Sequence, residues 1–180
     1  MSIHDDIERV LITEEQIRAR IAELGKELTR DYADKNPIFL GVLRGVVIFY
    51  ADMVRAVPIP CEFDFMAVSS YGSGTQSSGN INISKDMTID VHGRHVVILE
   101  DILDTGRTLQ AVCRLLEHRG VASLRICTLL DKPERRTVDI TADYTGFTVP
   151  NEFVVGYGLD YNDQYRNLPY VGVLKPEIYA

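Results

Sequence analysis

Val96-Val97-Ile98-Leu99-Glu100-Asp101-Ile102-Leu103-Asp104-Thr105-Gly106-Arg107-Thr108-Leu109 is the stretch whose reading decides the fold. The short apolar run 96–99 reads as a buried parallel strand. It runs straight into two adjacent carboxylates, Glu100 and Asp101. A third, Asp104, opens a turn whose small and hydroxyl residues, Thr105, Gly106 and Thr108, lead into an amphipathic helix. That helix is predicted over about 105–118, with Leu109, Val112, Leu115 and Leu116 toward a sheet and a stop at Gly120. Exposed amides and the positive end of a helix suit a phosphate. The flanking acids would repel that anion, so they are expected to face sugar hydroxyls, a magnesium ion, or a proton to be moved. An isolated Asp-Thr-Gly carries little weight; a strand before it and a helix after it give it meaning.

The same strand, turn and helix recur upstream. Thr13-Glu14-Glu15-Gln16 is a capping box, and Ile17, Ile21, Leu24 and Leu28 mark one face of a helix reaching about Tyr32. After a break at 34–37, residues 38–43 read as a buried strand, and a second helix follows over 46 to about 57. The turn Leu43-Arg44-Gly45 between them either presents amides and a guanidinium to an anion or is an ordinary strand-to-helix corner. Residues 62–70 read as a longer strand, and 81–84 return as another. The intervening 71–80 are almost without apolar side chains. They read equally as a hairpin tip or as a lid that hinges at Ser70-Tyr71 and excludes water.

Downstream, 123–130 read as the next buried strand, followed by Asp131-Lys132-Pro133. A lysine there lies on the edge where such sheets bind ligands, unless it is a solvated turn residue. An ammonium donates hydrogen bonds and accepts none. Aimed at a nucleobase, it would favour a 6-oxopurine over adenine. Phe153 is open to two readings, a core residue or a flat platform for a base. Asp160 follows a glycine-spaced turn and reads as a metal or base-edge carboxylate.

Composition sets the bounds. At 180 residues and 46% hydrophobic content, one domain with a sizeable core is expected, with room for a small subdomain. A formal charge of −7 argues against broad nucleic-acid binding. It also means that local amides, placed cations and metal must supply any attraction for a polyphosphate. No apolar run approaches about 18 residues, and no secretory signal is apparent, so a cytoplasmic enzyme without a membrane partner is expected. Cys61, Cys113 and Cys127 lack ligand spacing and read as buried reduced thiols. His92, His95 and His118 receive no catalytic role, His118 being read as a surface residue at a helix C-terminus.

Five separated blocks, in order, carry a resemblance: Leu43-Arg44-Gly45; Ser69-Ser70-Tyr71-Gly72; the 100–109 signature; Leu130-Asp131-Lys132-Pro133; and 153–161 with Arg166. They resemble the type I phosphoribosyltransferases, in the bacterial hypoxanthine (6-oxopurine) group. The resemblance covers nearly the whole chain. It implies an α/β fold, a central parallel sheet flanked by helices, with 1–180 as one domain. A small hood from the N- and C-terminal segments and a lid arm over about 70–84 would complete it. It implies transfer of a phosphoribosyl group from 5-phosphoribosyl 1-pyrophosphate to hypoxanthine, and to guanine, releasing pyrophosphate.

By the same resemblance, Glu100 and Asp101 meet the ribose hydroxyls directly or through Mg2+, and Asp160 is a further magnesium ligand. Asp104 is the general base, and Thr105, Gly106, Arg107 and Thr108 cradle the 5′-phosphate. Leu43, Arg44 and Gly45 form a pyrophosphate loop, which in relatives carries a non-proline cis bond, and Arg166 is a further pyrophosphate contact. Ser70 and Tyr71 belong to the lid. Lys132 meets the exocyclic oxygen, Phe153 stacks on the base, and Val154 offers it backbone. Arg44 and Arg107 stand where many relatives have lysine. A homodimer or homotetramer is implied. A nucleotide-sensing RNA-binding protein on the same scaffold, or an enzyme preferring xanthine or a pyrimidine, are the alternatives.

Overall fold

The computed structural model of the chain describes residues 2–70 and 81–179; Tyr71 and the rest of the expected lid tip lie outside them. The central strand β5, His95–Leu103, forms where apolar residues run without interruption. Alternate side chains leave it on opposite faces, and both faces are covered. Val97 and Leu99 pack with Phe39 of β2, Ile38–Leu43, beneath helices α1, Glu14–Tyr32, and α2, Val47–Arg55. Val96 and Ile98 pack on the other side with Leu109, Val112 and Leu116 of α3, Arg107–His118. Burial on both faces explains why the strand's residues read as a continuous apolar run rather than an alternation.

Among the described residues the strands form two sheets. The larger has the order β4-β3-β2-β5-β6-β7, where β3 is Glu62–Ser70, β4 is Ile81–Lys85, β6 is Ser123–Asp131 and β7 is Tyr144–Thr148. All neighbours run parallel except β3 and β4, which pair antiparallel with Ser70 opposite Ile81. The smaller sheet, β1-β9-β8, is antiparallel and joins the two ends of the sequence: β1 is Ile7–Ile12, β8 is Val154–Val155 and β9 is Val171–Leu174. A last short helix, α4, spans Pro176–Tyr179.

Three local expectations need correction. The apolar run places the strand over 96–99 with the acid pair after it, yet β5 continues through Glu100 and Asp101 to Leu103, held by pairing of Ile102 with Leu130 and Leu103 with Asp131. The helix after the signature begins at Arg107 rather than Thr105, because Gly106 caps it with a φ of 83°, a left-handed backbone that cannot continue a right-handed helix. Of the thiols, Cys127 alone is buried, while Cys61 and Cys113 are half-buried. Burial still pushes the Cys113 thiol up to about 12, so it stays protonated and unreactive near neutral pH.

Candidate functional site

The C-terminal ends of the parallel strands open into two adjoining cavities that share Gly45, Asp101, Ile102 and Asp104. The first, about 240 Å³, is walled by Leu43 and Arg44 on one side and by Glu100, Thr105, Gly106 and Thr108 on the other. The second, about 590 Å³, lies toward the smaller sheet and is walled by Lys132, Phe153, Val154, Asp160 and Arg166. A cavity of about 670 Å³ between α1 and α2 is larger, but Ile17, Ile21, Ile48 and Leu168 line it and none of the signature residues reaches it.

At the first cavity, the amides of Thr105, Gly106 and Thr108 meet no protein acceptor among the described residues. They stand at the positive end of α3, a geometry that suits an anion. Arg107 points elsewhere: its Nε donates to Thr137 Oγ1 at 3.0 Å, and it lines neither of these two cavities. The Leu43–Arg44 peptide bond is cis. Gly45 then passes so close to the acid pair that a Cβ there would stand 1.9 Å from Asp101 Oδ2. On its other side, a Cβ on Gly158 would stand 1.9 Å from the Gly45 carbonyl oxygen. The loop is thus wedged between a carboxylate and a second backbone, and only glycines permit that approach.

Gly158 is itself held. Its amide donates to the Arg166 carbonyl at 2.9 Å, and Arg166 Nη1 donates back to the Gly158 carbonyl at 2.7 Å. Next to it, the Tyr157 hydroxyl donates to the Asp52 carboxylate on α2, tying the 156–159 turn to the helix that follows the loop. Arg166 Nη2 also pairs with Asp160 Oδ1 at 2.8 Å.

The acid pair carries the electrostatic tension of the site. Burial, with Asp101 beside it, pushes Glu100 well above the usual carboxylate range. Burial likewise raises Asp101 to about 6, even though the Ile102 amide and Arg166 favour its ionised form; Asp160 adds to the rise. Oxygen ligands that gain from a nearby cation are what a hard divalent ion requires. Among the described residues no three His, Cys, Asp or Glu side chains converge into a complete cage. Magnesium commonly uses one or two carboxylates together with substrate phosphates and water, so Asp101 with Glu100 or Asp160 fits that pattern.

Asp104 lines both cavities, and its Oδ1 accepts from Arg135 Nε at 3.1 Å. Arg136 fixes the backbone behind it. Its Nη1 donates to the carbonyls of Leu103 and Asp104, while Nη2 pairs with Asp131. Lys132 is buried rather than solvated, and its Nζ donates to the Glu152 carbonyl at 2.6 Å. Burial lowers its pKa, although neighbouring Asp104 works against the fall. Phe153 is 39% exposed, which rules out the core reading. One face stacks on Tyr179 at 4.7 Å between ring centroids, and Tyr161 meets it edge-on. Val154 is buried in β8.

Sequence reasoning passed over Arg135, Arg136, Glu152, Asp163 and Tyr179. No periodicity or motif marks them, since loops and short helical turns bring them to the site. Ser70 closes β3 beside Ile81, and Tyr71 lies outside the described residues.

A parallel sheet whose strand ends carry an acid pair, an anion cradle and a glycine-wedged loop defines a phosphoribosyl transferase. The family model for the phosphoribosyl transferase domain matches residues 11–162, and the chain belongs to this family. The hypoxanthine-guanine phosphoribosyltransferase of Streptococcus pneumoniae is 54% identical over 178 residues, 99% of each chain. The bifunctional protein TilS/HprT of Listeria monocytogenes is 54% identical over 179 residues; the chain spans 28% of that relative's length. The crystal structure of a hypoxanthine phosphoribosyltransferase from Staphylococcus aureus superposes with a TM-score of 0.96 at 49% identity, covering 99% of this chain and 97% of that one. Among the described residues no helix is long and apolar enough to cross a membrane.

Proposed function

We propose that residues 1–180 act as one purine-salvage phosphoribosyltransferase, joining hypoxanthine or guanine to 5-phosphoribosyl 1-pyrophosphate and releasing pyrophosphate. The observation that carries this reading is that Asp104 stands at the junction of the two cavities, between the amide cradle and the Lys132–Phe153 wall. A sugar phosphate in one and a flat base in the other would meet at that carboxylate.

The roles follow from position. The amides of Thr105, Gly106 and Thr108 hold the 5′-phosphate, and Glu100 and Asp101 face the ribose hydroxyls. Lys132 donates to the 6-oxygen of the purine, Phe153 stacks on the ring, and Val154 offers backbone beside it. Arg44 and Arg166 receive the leaving pyrophosphate, and Ser70 and Tyr71 belong to the lid. The bond from the anomeric carbon to pyrophosphate breaks ahead of the new bond from the purine nitrogen, which forms with inversion. The electron pair of the broken bond leaves on pyrophosphate, and the proton lost by the purine passes to Asp104. Asp101 with Glu100 or Asp160 would hold Mg2+, which would supply charge neutralisation on the pyrophosphate. Preorganised amides around the migrating charge supply much of the remaining acceleration.

A cytoplasmic setting accords with three free thiols. Exposed Val47 and Phe63 supply apolar surface for assembly into a homodimer or homotetramer. The test is direct: purified protein, phosphoribosyl pyrophosphate and magnesium are mixed with hypoxanthine, guanine, xanthine, adenine or a pyrimidine, and nucleotide formation is followed spectroscopically. Turnover with hypoxanthine and guanine is expected. Turnover with adenine, or with no base, overturns the reading.

A further inference from the structure

One oxygen atom joins the two arginines assigned to pyrophosphate. Asp163 Oδ1 lies 3.1 Å from Arg44 Nη2 and 3.4 Å from Arg166 Nη2, although these side chains come from opposite ends of the sequence. Among the described residues that oxygen has no other partner. The Asp163 backbone amide donates to Asp160 Oδ2 at 2.9 Å, which fixes the turn that presents it. Both Asn162 and Asp163 have positive φ, 51° and 60°, a conformation that asparagine and aspartate tolerate better than other non-glycine residues. The turn therefore projects a carboxylate to the place where two guanidiniums converge at the rim of the cleft. Asp160 differs, because it is half-buried, lines the cavity itself and holds Arg166 at 2.8 Å.

We propose that Asp163 is a resident counter-anion: it pairs with Arg44 and Arg166 and releases them when pyrophosphate, free or as part of phosphoribosyl pyrophosphate, binds. The proposal rests on the function proposed above. An arginine fork binds phosphate through two parallel hydrogen bonds, and Arg44 cannot offer its fork to a phosphate while Nη2 stays with Asp163. The carboxylate thus competes with the ligand, keeps the two guanidiniums apart from one another's repulsion, and speeds departure of the product by taking them back. Asp163 acts through the arginines and is a positioning residue. The side chains of Arg44 and Asp163 are 73% and 65% exposed, so the pair is a weak competitor and its removal yields a modest gain.

Asp163→Asn removes the charge and keeps a residue suited to positive φ. Inorganic pyrophosphate with magnesium, titrated calorimetrically, is expected to bind the variant about two- to fivefold more tightly than the unaltered chain. KM for phosphoribosyl pyrophosphate should fall in parallel, with KM for hypoxanthine unchanged. The gain should shrink as salt is raised, and it should be smaller when Asp163→Asn is made in an Arg44→Gln background, where only Arg166 is left to release. A purely structural role predicts the opposite sign, since a loosened turn would weaken pyrophosphate. Equal or weaker binding by Asp163→Asn, with the unaltered chain binding normally, overturns this proposal alone. Failure of the unaltered chain to bind pyrophosphate overturns the function and this proposal together.

Discussion

Arg135 Nε and Asp104 Oδ1 are 3.1 Å apart, so the carboxylate assigned to take the purine's proton is paired with a cation. The pair holds Asp104 along the wall that the two cavities share. Asp104→Asn preserves shape and one acceptor but cannot take a proton. Loss of a positioned base is expected to lower kcat by about a hundred- to ten-thousandfold, with phosphoribosyl pyrophosphate affinity within a few fold. Single-turnover kinetics isolates the chemical step, and a near-normal rate there would remove Asp104 from the reaction.

Lys132 tests the other end of the base. Its ammonium is buried and satisfied in part by the Glu152 carbonyl, leaving donors for a ligand oxygen. Truncating a charged hydrogen-bond donor costs about 1.5–3 kcal/mol, or roughly ten- to a hundredfold in kcat/KM for hypoxanthine. Lys132→Ala should therefore damage base use far more than sugar-phosphate binding. Equal losses for the two substrates, measured by varying each at saturation of the other, would place Lys132 outside the base pocket.

Legibility in the sequence followed the range of the forces involved. The 96–109 stretch could be read because strand, turn and helix are each encoded by neighbours a few residues apart. The same holds for the Thr13 box, whose reciprocal hydrogen bonds with Gln16 appear as expected. The end of β5 could not be read: two carboxylates look like the end of a strand, and only pairing with β6 carries it on to Leu103. Asp163, Arg135 and Tyr179 were invisible for the same reason. Each matters through a partner more than fifteen residues away, Arg44, Asp104 and Phe153 respectively, and nothing in their surroundings announces it. The smaller sheet joins Ile7 to Leu174, a pairing that no local pattern determines.

Asp64 offers a stability test away from the chemistry. It is buried on β3 and accepts the amides of Phe65, Thr88 and Ile89 at 2.7–2.9 Å. Burial alone would raise its pKa, but those amides, helped by Lys85, outweigh the desolvation and hold it below the ordinary value. A depressed carboxylate stabilises the fold above its unfolded pKa, about 3.9, and loses that contribution as pH falls through the folded value. Asp64→Asn is expected to cost about 1–3 kcal/mol at neutral pH. Urea titrations across pH should show the gap to the unaltered chain constant above about pH 5 and narrowing below about pH 4. A gap that widens on acidification would contradict the assignment.

Gly158 connects stability to the site. Its φ of 102° would strain any other residue, and an added Cβ would meet the Gly45 carbonyl oxygen at 1.9 Å. Gly93 is the control: its φ is 69°, but a Cβ there meets nothing within 4 Å. Gly93→Ala should cost only backbone strain, about 1–2 kcal/mol, and leave the kinetics alone. Gly158→Ala carries comparable or greater strain, about 1–3 kcal/mol, and in addition pushes the 43–45 loop out of its wedge against Asp101. Displacement of a positioning loop by a fraction of an ångström to one ångström lowers catalysis by roughly ten- to a hundredfold. The expected result is a fall in kcat/KM for phosphoribosyl pyrophosphate in Gly158→Ala that Gly93→Ala does not share at a similar loss of Tm. Parallel losses in the two variants would mean that the 156–159 turn supports the fold without holding the 43–45 loop in place.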